Sequence, residues 1–86
     1  MPKIVVYTID WCPYCEAALE LLSGKGVAFE EINLTGKPAE RAKLRDETGS
    51  STVPQIYIGE THVGGCDDLY ALDRAGRLDP LLAQVT

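Results

Sequence analysis

Two cysteines that stand two residues apart, in the segment Cys12-Pro13-Tyr14-Cys15, are the residues of this sequence best suited to chemistry. An apolar run typical of a β-strand precedes them, and an amphipathic helical pattern follows them. We therefore expect the pair at a strand-to-helix turn. Cys15 continues the apolar helical face, which predicts a sheltered thiol. Cys12 is expected one turn earlier, near the helix N-cap and within reach of solvent.

This placement suits thiol–disulfide exchange, in which only the thiolate attacks. The unpaired N–H groups and the dipole of a helix N-terminus favour negative charge, so Cys12 is the expected attacking sulfur and Cys15 the expected resolving sulfur. Pro13 fits the first helical position, where its missing N–H would have no partner. A metal site, or a purely structural role for the two cysteines, is the alternative.

Length and composition exclude several classes of protein. The 86 residues predict one domain over residues 1–86, and a hydrophobic content of 45% suffices for a modest core. The net charge of −5 argues against nucleic acid as a partner. No apolar run is long enough to cross a membrane, and no signal peptide precedes the first strand, so we expect a cytoplasmic protein.

The rest of the chain alternates strand and helix patterns. Strands are predicted over residues 3–8, 27–33, 55–58 and 61–63, and helices over 12–24, 38–48, 66–76 and 79–85. The initial strand–helix–strand order predicts a parallel pair with a right-handed crossover. A tight turn at Gly59-Glu60 makes the last two strands antiparallel, so the sequence predicts an α/β protein with a mixed sheet.

Two further segments could contact a ligand. Pro54 opens a strand, a position that proline tolerates, and only about 5–6% of ordinary X–Pro bonds are cis. The glycines of Gly64-Gly65 permit a close approach to the backbone, and the N–H groups of the helix turn that follows form an anion site. Asp67 and Asp68 in that turn could also simply cap the helix.

These segments together resemble the glutaredoxin family in their order and spacing. The matching segments are Cys12-Pro13-Tyr14-Cys15, Thr52-Val53-Pro54 and Gly64-Gly65-Cys66-Asp67-Asp68. The resemblance spans nearly the whole chain and is strongest with the small dithiol members of bacteria. It implies a thioredoxin-like fold with a four-stranded mixed sheet flanked by helices. It also implies a glutathione-disulfide oxidoreductase that acts in electron transport and cell redox homeostasis.

The resemblance also implies a mechanism. Cys12 attacks the glutathione sulfur of a mixed disulfide, and a second glutathione then releases it. With protein disulfides, Cys15 resolves the intermediate, and a Cys12–Cys15 disulfide results. The implied partners are glutathione, as the reducing co-substrate, and disulfide-containing or glutathionylated proteins, with ribonucleotide reductase as one candidate. A monomer without a metal is expected.

A glutathione site follows from the same resemblance. Its residues are Tyr14, Arg41, Thr52, Val53, Pro54, Gly65, Cys66 and Asp67. The N–H groups of Cys66 and Asp67 are expected to bind the γ-glutamyl carboxylate, and the Asp67 side chain the ammonium. Arg41 is expected to bind the glycyl carboxylate, and Tyr14 to wall the sulfur. A cis Val53–Pro54 bond would turn the Val53 backbone toward the cysteinyl unit.

One position departs from the family pattern. Many relatives carry a lysine three residues before the first cysteine, where this chain has Ile9. Without that cation, we expect weaker glutathione capture and less support for the Cys12 thiolate. Trp11 is likewise not the usual residue, and it could line a substrate groove or simply cover the edge of the core.

Three other functions stay open on the sequence alone. A redoxin driven by thioredoxin reductase would share the two cysteines but would not need the anion site. A structural zinc site could use three thiolates and one imidazole, from Cys12, Cys15, His62 and Cys66. An iron–sulfur carrier would bridge two chains through Cys12 and glutathione, although Pro13 and Cys15 argue against it.

Overall fold

Four strands form one mixed sheet in the computed structural model, which describes residues 3–85. The elements are β1 (Ile4–Thr8), α1 (Pro13–Gly24), β2 (Glu30–Asn33), α2 (Pro38–Thr48), β3 (Gln55–Ile58), β4 (Thr61–Gly64), α3 (Cys66–Arg74) and α4 (Leu78–Ala83). The strand order is β2-β1-β3-β4, with β1 parallel to β2 and the other pairs antiparallel. This is the predicted thioredoxin-like fold. Over the described residues, no helix is long and apolar enough to span a membrane.

The core lies on the face of the sheet that is covered by α1, α3 and α4. Its buried side chains come from the two central strands and these three helices: Ile4, Val6, Ala18, Leu22, Ile56, Ile58, Cys66, Leu69, Leu78 and Leu82. Because β1 is central and apolar, it suits a position with strands on both sides. The core therefore fixes the end of β1, from which the chain continues to Cys12.

Helix α1 begins as the sequence predicts. Cys12 is the N-cap in an extended conformation, with φ −117° and ψ 99°, and Pro13 takes the first helical position. At the far end, the Lys25 ammonium lies 2.7 Å from Asp73 and 2.9 Å from Asp79. These two ion pairs connect the C-terminal end of α1 to the last two helices.

Helix α2 matches its predicted bounds and packs lightly. Leu44 is its one fully buried side chain, whereas Arg41, Ala42 and Thr48 are half-buried. Its thin apolar stripe therefore attaches it to the sheet while most of its surface stays in water. Helix α2 ends at Gly49, whose φ of 75° is a left-handed conformation that glycine adopts without strain.

Several predicted boundaries differ from the structure, and two of the differences have a clear physical reason. Strand β2 begins at Glu30 rather than residue 27, although Val27 and Phe29 do pack against the core. Their apolar character therefore reflects core contact rather than ladder pairing. Helix α4 begins at Leu78, so Pro80 is its third residue. A proline is tolerated there because the first N–H groups of a helix have no intrahelical partner.

Candidate active site

Both cysteines of the motif are buried at the head of α1. Cys15 is 2% exposed, as its place on the apolar face predicts, but Cys12 is only 9% exposed. The expectation of an open Cys12 is therefore wrong. The reason is the segment before β3, which packs over the sulfur: Cys12 Sγ lies 4.0 Å from the Val53 carbonyl oxygen.

The two sulfurs differ in their electrostatic surroundings. Cys12 Sγ accepts a hydrogen bond from the backbone N–H of Cys15 at 3.2 Å, which is the helix N-terminal donor that the sequence predicts. Burial, with a further contribution from the neighbouring Cys12, raises the pKa of the Cys15 thiol to about 12. Cys15 is therefore protonated at neutral pH, and the helix donor is directed at Cys12.

A cavity of about 390 Å³ opens beside Val53, the residue that contacts Cys12 Sγ, although neither cysteine of the motif lines it. Seven of the eight residues predicted to bind glutathione line it: Tyr14, Thr52, Val53, Pro54, Gly65, Cys66 and Asp67. Tyr14 is 66% exposed, so its ring forms one wall at the opening of the cavity. A volume of this size falls within the range of small-ligand sites.

The loop before β3 supplies one side of the cavity. The Val53–Pro54 peptide bond is cis. This confirms what the family resemblance implies, although most X–Pro bonds are trans. Gln55 is 2% exposed, and its side-chain amide donates to the Thr52 carbonyl at 2.8 Å. Its amide oxygen lies 2.7 Å from Nε2 of His62. Gln55 thus connects this loop to β4.

Gln55 belongs to the site although the sequence motifs did not predict it there. The available signal was its polar side chain at the start of a strand whose other positions are apolar, directly after Pro54. A polar group at such a position requires hydrogen-bond partners. The cavity lining also includes Ser50, and its hydroxyl lies 2.8 Å from that of Thr52.

The N-terminus of α3 supplies the opposite side. The Asp68 carboxylate accepts a hydrogen bond from the Gly65 N–H at 3.0 Å, so Asp68 has the capping role that the sequence left open. Gly64 has φ 112°, and a Cβ built on it would collide with that carboxylate. Asp67 is exposed and, within residues 3–85, its carboxylate makes no hydrogen bond or ion pair.

Cys66 is the third buried thiol of the chain. Burial raises the pKa of Cys66, and the nearby Asp67 carboxylate adds to this effect. Its thiolate is therefore disfavoured.

Arg41 lies apart from the other predicted residues. Its Nη2 donates to the Ser51 carbonyl at 3.4 Å, one residue before Thr52. It lines a different cavity, of about 480 Å³, together with Ile9 and Trp11. The structure therefore places Arg41 at the border of the first cavity rather than in it.

The residues of the zinc alternative do not converge. In the described part of the chain, no three cysteine, histidine or acidic side chains lie close enough together to hold a metal ion. His62 instead interacts with Gln55 and lies over the ring of Tyr57, with ring centroids 4.9 Å apart. This placement argues against the combination of three thiolates and one imidazole.

Comparisons with known proteins agree with this geometry. The glutaredoxin family model matches residues 4–63. A glutaredoxin of Pseudomonas aeruginosa is 64% identical over 83 residues, which are 96% of this chain and 99% of that protein. Glutaredoxin 3 of Escherichia coli is 52% identical over 82 residues, with 95% and 99% covered.

Solved structures that are similar to this chain are also glutaredoxins. A buckwheat glutaredoxin–glutathione complex superposes with a TM-score of 0.92 at 33% identity, over 98% of this chain and 79% of that one. The solution structure of a Brucella melitensis glutaredoxin superposes with a TM-score of 0.85 at 50% identity, over 95% and 89%.

Proposed function

Because this chain belongs to the glutaredoxin family of thiol–disulfide oxidoreductases, we propose that Cys12 is its nucleophile and that glutathione occupies the adjacent cavity. The observation that carries this proposal is the convergence of residues from three separate segments, Tyr14, Thr52-Val53-Pro54 and Gly65-Cys66-Asp67, around one cavity whose wall includes Val53, the residue in contact with Cys12 Sγ.

The proposed reaction consists of two exchanges at Cys12. Its thiolate attacks the glutathione sulfur of a protein–glutathione mixed disulfide, a Cys12–glutathione disulfide forms, and the protein thiolate leaves and takes up a proton. A second glutathione thiolate then attacks the glutathione sulfur on Cys12. Oxidised glutathione forms, and the Cys12 thiolate is regenerated where the Cys15 N–H stabilises it.

Protein disulfides follow a second route. Cys12 attacks one sulfur of the substrate, which releases the other as a thiolate. Cys15 then loses its proton and attacks the Cys12 sulfur, which gives the Cys12–Cys15 disulfide and frees the substrate. Since burial raises the pKa of Cys15 to about 12, this resolving step requires a proton acceptor, and two molecules of glutathione restore the dithiol.

The cavity offers a complement for most of the groups of glutathione. The first N–H groups of α3, at Cys66 and Asp67, suit the γ-glutamyl carboxylate, because the start of a helix favours an anion. The exposed Asp67 carboxylate suits the ammonium. The Val53 backbone suits the cysteinyl unit. Arg41 donates to the Ser51 carbonyl, so its guanidinium would have to extend past Ser51 to contact the glycyl carboxylate.

We further infer glutathionylated and disulfide-containing proteins as substrates, ribonucleotide reductase being one candidate, and a monomer that acts in the cytoplasm. Two observations support this inference. The chain has three cysteines, two of them in the motif, which is too few for a disulfide-stabilised scaffold and is typical of proteins of reducing compartments. The anion site at the start of α3 favours glutathione over thioredoxin reductase as the source of electrons.

The decisive experiment compares two electron sources on the same protein. With a mixed disulfide of glutathione and 2-mercaptoethanol as substrate, we expect turnover with glutathione and glutathione reductase, and none with thioredoxin reductase. Cys12→Ser should abolish turnover, whereas Cys15→Ser, at the other buried thiol of the motif, is the matched control and should keep it, because this substrate needs no resolving thiol. Turnover with thioredoxin reductase alone, or full activity of Cys12→Ser, would refute the proposal.

A further inference from the structure

Gln55 places a polar side chain in the interior, directly after the cis Val53–Pro54 bond. It lines the cavity assigned to glutathione, and so does His62 of β4. A buried side-chain amide destabilises the fold unless its NH₂ group and its oxygen both have hydrogen-bond partners. Because the other residues of β3 are largely apolar, packing alone does not explain an amide at this position.

The partners of Gln55 fix the orientation of its amide. The Thr52 carbonyl can only accept a hydrogen bond, so the group that lies 2.8 Å from it must be the Gln55 NH₂. The amide oxygen therefore faces His62, and Nε2 of that ring, 2.7 Å away, must carry a proton. The His62 ring is itself held against the ring of Tyr57. His62 thus keeps the amide in the orientation in which it donates to Thr52.

The hydrogen bond from Gln55 also determines where the Val53 N–H points. Within the described residues the cis bond is the one before Pro54, so the Thr52–Val53 peptide is trans. The C=O and the N–H of a trans peptide point in opposite directions. Since the Thr52 carbonyl faces Gln55, the Val53 N–H is directed away from it, and among residues 3–85 this N–H has no hydrogen-bond partner. Val53 is half-buried and lines the cavity, so its unpaired N–H is available to a ligand there.

We propose that Gln55 and His62 are positioning residues, which direct the Val53 N–H toward a carbonyl of bound glutathione. This proposal rests on the proposed function, because it concerns the same cavity and the same sulfur. The Val53 carbonyl lies 4.0 Å from Cys12 Sγ, so this backbone is beside the reacting atom. A donor that is already oriented in the free protein does not have to be ordered when glutathione binds, which favours binding.

The test measures kcat/KM for the mixed disulfide of glutathione and 2-mercaptoethanol, with glutathione and glutathione reductase. Gln55→Met keeps an unbranched side chain but removes the donor, and it should lower kcat/KM about fivefold, as for the loss of one hydrogen bond. His62→Leu should lower it by a similar factor of about five, because the freed amide can rotate away from Thr52. His62→Gln, whose amide can replace the ring N–H as donor, should stay within about twofold of the wild type. Thr61→Ala, at the neighbouring exposed position of β4, is the control and should change kcat/KM by less than about twofold.

The coupling of the two residues distinguishes positioning from independent packing. In the double variant Gln55→Met/His62→Leu the amide that His62 orients is already absent, so the loss should stay at about fivefold, against about 25-fold for two independent effects. Alkylation of Cys12 by iodoacetamide does not use the Val53 N–H and should keep its wild-type pH profile in every variant. A changed profile in Gln55→Met and His62→Leu would place the effect at the sulfur itself and overturn the proposal.

The tautomer of His62 gives a direct measurement. His62 is the single histidine of the chain, so nitrogen NMR of histidine-labelled protein reports on this ring alone. At a pH at which the ring is neutral, we expect the proton on Nε2, as the orientation of Gln55 requires. A neutral ring with its proton on Nδ1 could not donate to Gln55 and would overturn the proposal.

The remaining outcomes separate this proposal from the proposed function. If the wild type does not reduce the mixed disulfide with glutathione, the proposed function itself fails. If it does, but His62→Leu equals His62→Gln, or the losses in the double variant multiply, only the positioning role is overturned. Because His62 is exposed, its two variants decide the question even if Gln55→Met does not fold.

Discussion

Replacement of Gly64 by alanine should lower the free energy of unfolding by about 2–4 kcal/mol, the sum of two separate costs. The φ of 112° at Gly64 is a conformation that residues with a Cβ rarely adopt, which costs about 1–3 kcal/mol. The new Cβ would also collide with the Asp68 carboxylate, which must then rotate away. Its hydrogen bond to the Gly65 N–H is lost, at about 1 kcal/mol.

The collision can be isolated with a double-mutant cycle. Asp68→Ala alone removes the hydrogen bond and should cost about 1 kcal/mol. In the double variant no carboxylate remains to be displaced, so its cost should equal that of Gly64→Ala alone. The two single effects should therefore exceed the double effect by about 1 kcal/mol, above the scatter of about 0.3–0.5 kcal/mol for independent sites.

The assay is urea unfolding of the reduced protein, followed by far-ultraviolet circular dichroism. Gly36→Ala is the matched control, because Gly36 has φ 75° but no neighbouring atom lies within 4 Å of the point where a Cβ would stand. It should cost about 1–2 kcal/mol from backbone strain alone. Additive effects of Gly64→Ala and Asp68→Ala would refute the inferred contact.

Three further outcomes are expected. Cys15→Ser should keep reduction of the glutathione–2-mercaptoethanol mixed disulfide within about threefold of the wild type, since Cys12 needs no resolving thiol there, and should lose reduction of a protein disulfide in the same coupled assay. Because the pKa of Cys15 is raised from 9.0 to about 12 in the folded protein, its contribution to stability is fully present below pH 9 and is lost as the pH rises from about 9 to 12. Urea titrations across that range should show a smaller loss in Cys15→Ala than in the wild type, and an equal loss would contradict the burial effect. Ile9→Lys places a cation beside Arg41 and should lower the KM for glutathione about threefold, while Ile9→Met, a neutral control, should not.

Local sequence signals predicted the elements that carry the chemistry. The strand-to-helix turn at Cys12, the bounds of α2 and the start of β3 at Gln55 are confirmed. Each of these depends on neighbours in the sequence: a proline in a first turn, a helical apolar face, or a proline before a strand. Only the family resemblance predicted the cis bond before Pro54, because the low frequency of cis X–Pro bonds favours a trans bond.

The errors arise where distant parts of the chain meet. Cys12 is less accessible than expected because Val53, forty-one residues later, packs over it. The sequence motifs do not predict Gln55 in the site because its partners, Thr52 and His62, are set by the loop and by the β3–β4 pairing. Arg41, which the resemblance groups with the glutathione residues, lines the neighbouring cavity because α2 lies beside the sheet, and its role in glutathione binding stays a prediction.

The exposure of Trp11 has a practical consequence for spectroscopy. It is the only tryptophan of the chain, and its indole is already surrounded by water in the native state. Unfolding therefore changes its surroundings little, so its emission should be a poor monitor of denaturation. Substrate binding or disulfide exchange at Cys12, the next residue, would shield the indole from water or quench its emission. The same fluorophore should therefore follow turnover in real time without an added label.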